Sequence, residues 1–137
     1  MDLFVDLNAD VGESFGAFQI GADEALMRSI TSANIAAGFH GGDPSVLRST
    51  VRLALAHGVA VGAHPGFPAL AGFGRREMRL APGAVEGLVL YQIAAVAGVT
   101  AAEGGRLRHV KPHGALYNMA ARDQELAAAV VRACAQF

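Results

Sequence analysis

The apolar positions of this chain gather in four short runs, and each run ends in an acid or a histidine beside glycine: LFVDLNADVGE, ANIAAGFHGGD, VAVGAHPG and RHVKPHG. The runs cover roughly 3–9, 33–39, 59–63 and 107–111, which is strand length. Segments of helical period follow them. The clearest is 44–57, where Asp43 suits an N-cap, Pro44 suits the first helical position, Leu47, Val51, Ala54 and Leu55 form one stripe, and Gly58 is a stop. Further helices are predicted over 22–30, 83–103 and 123–136. Strands alternating with helices make βαβα units, hence a parallel sheet.

Successive side chains on a strand point to opposite faces, so the runs can be sorted. Leu3, Val5, Leu7 and Ala9 share one face of the first run, with Asp6, Asn8 and Asp10 on the other. In the second, Ile35, Ala37 and Phe39 oppose Asn34, Ala36, Gly38 and His40; in the third, Val59 and Val61 oppose Ala60, Gly62 and His64. The fourth groups His109, Lys111 and His113. One face is apolar and fit for covering helices, while the other is small or polar. A doubly wound sheet, covered on both sides, would read as continuous apolar runs. The alternation predicts the polar-lined interior of a β/α barrel. A closed barrel takes about 250 residues, and this chain has 137, enough for a single domain over 1–137 with four βα units. Either it is a piece of a barrel, or it associates with another chain, or the sheet is not a barrel. Open edges favour association, so a homo-oligomer is expected.

Composition narrows the function classes. The chain is 53% hydrophobic with mean hydropathy +0.34, ample for a core. Eleven Lys and Arg against twelve Asp and Glu leave a net charge of −1 with no basic block, which argues against a nucleic-acid partner. A small neutral or anionic substrate fits better. The single cysteine, Cys134, cannot close an internal disulfide, and no charged, then apolar leader opens the chain, so a cytoplasmic protein is expected. Residues 84–102 approach the length of a membrane span, but Glu86, Gly87, Gln92 and Gly98 interrupt them; a helix of the core or an interface is expected, and no membrane role.

In a parallel β/α fold, residues just past the strand C-termini gather on one side, where active sites form. Asp10, Glu13, His40, Asp43, His64, Lys111 and His113 all occupy such tips. Asp6, Asn8 and Asp10 on one strand face are costly to bury without partners. Asp6, deepest, is expected to hold a network together, and His109 to be a satisfied core histidine. His57, at a helix C-terminus, answers the helix dipole. Asp43 has a ready structural role as a cap. Arg75 and Arg76 in LAGFGRR offer a bidentate grip on an anion, Asn118 a polar contact in the turn after the fourth run, and Lys111 needs a carboxylate such as Asp10 or Asp6 to stay charged. Two chemistries remain open. A divalent metal on Asp10, His40 and either His64 or His113 would activate water. Alternatively, carboxylate and histidine move protons while Lys111 steadies negative charge.

Four ordered motifs, DLNADVGESFG, SANIAAGFHGGDP, GAHPGFPALAGFGRR and VKPHGALYN, closely resemble the LamB/YcsF family, the A subunits of 5-oxoprolinase, over essentially the whole chain. The resemblance implies an α/β fold, a parallel β/α barrel of the glycoside hydrolase/deacetylase type, here about its N-terminal half. It also implies work with subunits B and C in opening the lactam of 5-oxoproline (pyroglutamate) to L-glutamate, with ATP as co-substrate. In that reading Asp10 and His40 position or activate water, Lys111 or Arg76 binds anionic oxygen, and His113 or His64 protonates the leaving nitrogen. Asn8, Glu13, Asp43, Arg76 and Asn118 are then substrate contacts. The rival is a metal-dependent amide or carbohydrate deacetylase, with Asp10, His40 and His113 as ligands. A third reading is a non-catalytic fragment that interacts through its strand edges.

Overall fold

The structure is a computed structural model and describes residues 3–137. Four strands, β1 (Asn8–Val11), β2 (Ser32–Ala36), β3 (Ala60–His64) and β4 (Leu107–Val110), form one sheet in the sequential order β1-β2-β3-β4, every pair parallel. The helices are α1 (Asp23–Leu26), α2 (Pro44–Ala56), α3 (Pro82–Ala102), α4 (Gly114–Ala120) and α5 (Gln124–Cys134). α2 packs on β2 and β3, α3 on β3 and β4, and α5 on α3.

Local chemistry explains the best-formed elements. Asp43 Oδ1 accepts from the amides of Ser45 and Val46, and Pro44 opens α2 where a missing N–H costs nothing. Leu47, Val51 and Ala54 then bury one stripe against the sheet. Asp123 caps α5 in the same way. α3, the long apolar segment, sets Val85, Val89, Ile93 and Val96 in the core. It is long and apolar enough to cross a membrane by length and composition, yet here that face is spent on β3, β4 and α5.

Three expectations need correction. The run 3–9 pairs with β2 only from Asn8 onward, so Leu3, Phe4, Val5 and Leu7 stay exposed instead of lying under helices. The reason is register: Asn8 faces Ser32, where β2 begins, and the pairing closes off at Thr31, whose amide donates to the Leu7 carbonyl. The second run stops pairing at Ala36, so His40 is carried by a loop. The segment after the fourth run, read as a turn, is helix α4; the Ala115 amide donates to the Gly74 carbonyl and Leu116 is buried, contacts too distant in sequence to predict.

Candidate active site

The strand tips converge. Asp10 lies near the end of β1 and Glu13 follows the strand, His40 stands in the loop after β2, His64 is the last residue of β3, and Lys111 and His113 leave β4. Beneath them the polar strand face forms a ladder. Asp6 accepts from the hydroxyls of Thr31 and Ser32, Asn8 Nδ2 donates to Ser32 Oγ at 2.7 Å, and Asn34 Nδ2 donates to Asn8 Oδ1 at 2.6 Å and Asp10 Oδ1 at 2.8 Å. His109 Nε2 donates to Asn34 Oδ1 at 2.7 Å, the satisfied histidine expected of it. Asp10, Asn34, Gly62 and His109 are register partners across all four strands, and the His109 ring lies where a side chain on residue 62 would stand. Glycine at 62 is therefore a packing requirement.

At the top of the ladder Lys111 Nζ donates to Asp10 Oδ1 at 2.7 Å, the partner its charge requires. Burial raises the Asp10 pKa, but the neighbouring His64 and the hydrogen bonds from Lys111 and Asn34 outweigh it and hold the carboxyl far below its usual range. Asp10 is a carboxylate under any ordinary condition. A pocket of about 340 Å³ opens over this pair, lined also by His64, Arg75, His113, Tyr117 and Asn118.

Three buried histidines cluster beside it, with His64 and His113 among the pocket's lining. His40 and His113 stack at 3.6 Å between ring centres and 5° between planes, and His64 meets both edge-on. His40 Nε2 lies 3.0 Å from Glu13 Oε1, while its Nδ1 is buried with no hydrogen-bond partner among the described residues. His64 Nδ1 donates to the Lys111 carbonyl at 2.6 Å, and His113 Nε2 to the Phe73 carbonyl at 2.7 Å. Burial lowers the pKa of His40, and that of His113 to about 4 with help from the neighbouring His40 and His64. Gly74, at φ +62°, lets the backbone pass the cluster: a Cβ there would sit 2.7 Å from His40 Cβ and 2.8 Å from His113 Cδ2. The ligand atoms of Glu13, His40, His64 and His113 all lie within 4.8 Å of one another.

Other predicted residues fall at varying distance from this centre. Asn8 sits in the ladder, one layer below Asp10. Asp43 spends Oδ1 on α2 and Oδ2 on the Gly16 amide. Asn118 lines the pocket from α4, and Arg75 lines it where Arg76 is exposed and folds over Gly72. His57 is exposed at the end of α2, with Nδ1 on the Leu53 carbonyl. Two supporting groups escaped the sequence reading of the site. Gln92, visible only as a polar break in an apolar segment, is fully buried and clamps the loop after β3, accepting from the Gly66 amide and donating to the Gly66 carbonyl, both at 2.9 Å. Phe73, in the left-handed region at φ 52°, supplies the carbonyl that orients His113. A lone Gln in an apolar helix was the only signal for the first, and a backbone carbonyl carries none.

The LamB/YcsF family model matches residues 5–137. The chain is 62% identical to the A subunit of 5-oxoprolinase from Azoarcus sp. (strain BH72), over 97% of this chain and 52% of that protein. It is 59% identical to the protein of that name from Thermococcus onnurineus (strain NA1), over 97% and 52%. The crystal structure of a lactam utilization protein from Thermus thermophilus superposes with a TM-score of 0.95 at 59% identity, covering 96% of this chain and 53% of that one. The chain thus spans about half the length of the curated relatives it matches. On these matches, and on strand tips that carry the family's motifs into one pocket, the chain belongs to the LamB/YcsF family.

Proposed function

We propose that this chain supplies part of the active centre of a 5-oxoprolinase, which opens the lactam of 5-oxoproline to L-glutamate in an assembly with subunits B and C and with ATP as co-substrate. The observation that carries this reading is the match at 62% identity, over 97% of the chain, to a protein named as the A subunit of that enzyme. The sequential parallel order of the strands supports reading the sheet as about half of a β/α barrel of the glycoside hydrolase/deacetylase type. A single free cysteine, Cys134, supports a cytoplasmic setting.

A five-membered lactam is a stabilised amide. Transfer of a phosphoryl group from ATP to its carbonyl oxygen makes the carbon a better electrophile; water adds there, the C–N bond breaks as the nitrogen takes a proton, and the resulting acyl phosphate is hydrolysed by a second water to phosphate and the carboxylate of glutamate. Asp10, an anion at the pocket mouth, accepts the proton of the attacking water. Lys111 Nζ, 2.7 Å from it, steadies the anionic oxygen and hands a proton to the ring nitrogen. In the complete assembly, Asp10→Asn and Lys111→Met each lower ATP-dependent glutamate formation about 100-fold or more. Unchanged rates overturn these roles.

One observation favours a second reading, a metal-dependent amide or carbohydrate deacetylase: the Glu13, His40, His64 and His113 cluster. Deacetylation that needs no ATP would establish it over lactam opening.

A further inference from the structure

The histidine cluster has an electrostatic problem that the lactam chemistry does not address. Backbone carbonyls only accept hydrogen bonds, so His64 carries its hydrogen on Nδ1, facing the Lys111 carbonyl, and His113 carries its own on Nε2, facing the Phe73 carbonyl. The nitrogens turned inward, His64 Nε2 and His113 Nδ1, are then bare lone pairs, and they face each other at 3.0 Å. Glu13 Oε1, also an acceptor, closes a triangle at 3.8 Å from His113 Nδ1 and 4.0 Å from His64 Nε2. Three electron-rich atoms converging in a buried space need a positive charge between them.

The shape of the gap selects the charge. A shared proton would lie on the line between the two nitrogens and leave Glu13 outside. A triangle with these three sides has a centre about 2.1 Å from every corner, within the roughly 2.0–2.2 Å of zinc bonds to histidine nitrogen and carboxylate oxygen. The outward hydrogen bonds fit as well, since metal-binding imidazoles ordinarily donate their far N–H to a carbonyl or carboxylate, which fixes tautomer and ring orientation. His40 is arranged differently. Its Nε2 hydrogen goes to Glu13 Oε1 at 3.0 Å and its ring stacks on His113, so it holds two of the three corners in place. Asp10 Oδ2 stands 3.4 Å from His64 Nε2, on the side of the pocket.

We infer that His64 Nε2, His113 Nδ1 and Glu13 Oε1 form a binding site for a divalent transition-metal ion of the zinc class, with His40 as the residue that positions Glu13 and the remaining coordination position open toward the pocket. Imidazole with a carboxylate suits such an ion, whereas magnesium and calcium prefer all-oxygen sites. The site follows from the hydrogen-bonding pattern of the cluster and stands whichever reaction the pocket performs. Glu13, taken from sequence as a substrate contact, becomes a ligand, and Asp10 is left to its pairing with Lys111.

The intact chain is stripped with chelator and titrated with Zn²⁺ by calorimetry. One equivalent binds. His113→Gln and Glu13→Gln each weaken binding by more than the roughly 10–100-fold typical of residues that only orient ligands, His40→Gln falls within that range, and the exposed His57→Gln changes nothing. Folding of each variant is followed by circular dichroism. A measurement on the unmodified chain guards against variants that fail to fold: long-range ¹⁵N–¹H imidazole spectra show zinc-induced shifts at His64 Nε2 and His113 Nδ1. No stoichiometric binding, binding insensitive to both ligand variants, or zinc-induced shifts at other ring nitrogens overturns the assignment.

Discussion

At the scale of single residues, the polar strand face leaves little room for substitution. The His109 ring occupies the space over Gly62, so Gly62→Ala forces the imidazole off Asn34 and disturbs the layer that reaches Asp10. Overpacking of this kind costs about 1–3 kcal/mol; a denaturant midpoint measures it, and adding His109→Ala recovers part of the loss by vacating the space. Protonation tests the histidines. His40, His109 and His113 have folded pKa values below the ordinary value of about 6.5, chiefly through burial. Below pH 6.5 the unfolded chain therefore binds protons that the folded chain refuses, and stability falls as pH drops from about 6.5 toward the value of about 4 reached by His113. In chelator-containing buffer the melting temperature at pH 5 lies below that at pH 7.5; equal values would show that these rings are not held neutral.

At the scale of elements, two polar side chains do more than their sequence positions suggest. Gln92 fastens α3 to the loop that leaves β3 by satisfying both the amide and the carbonyl of Gly66. Gln92→Leu keeps the bulk but orphans those groups, at about 1–3 kcal/mol each, and loosens the backbone just beyond His64; hydrogen exchange at the Gly66 amide speeds up accordingly. Asp43 joins the N-terminus of α2 to the Gly16 loop. Asp43→Ala costs about 0.5–2 kcal/mol in thermal unfolding whereas Asp43→Asn, also a good cap, costs less. An equal effect from both would point away from capping as the main role. The bounds of α2, α3 and α5 were readable because caps, prolines and stop glycines are local signals, whereas the helix predicted over 22–30 is confined to Asp23–Leu26 and α4 was not foreseen. The strand ends were less so, since pairing depends on the neighbour: β1 begins only where β2 offers Ser32.

At the scale of the whole molecule, the sheet is parallel and sequential, with apolar residues such as Leu3, Phe4 and Val5 exposed beside β1. Contiguous exposed apolar surface of this kind ordinarily marks a contact region. Sedimentation velocity is expected to show concentration-dependent self-association of the isolated chain, reduced by Phe4→Ser with Val5→Thr. A monomer at all concentrations would remove the case for a homo-oligomer.

The sequence by itself determined the βαβα order, the two-sided strands and the list of residues at their tips, because periodicity, caps and glycine stops act over a few residues. Only the tertiary structure decided what those residues are for. Asp10 is paired with Lys111 across 101 positions of chain, His64 meets His113 across 49, and Glu13 stands beside all three buried histidines. Such relations depend on which nitrogen of a ring faces inward and which carbonyl claims the other, and neither is written in the identity of the histidine. They are set where parallel strands from distant segments end side by side.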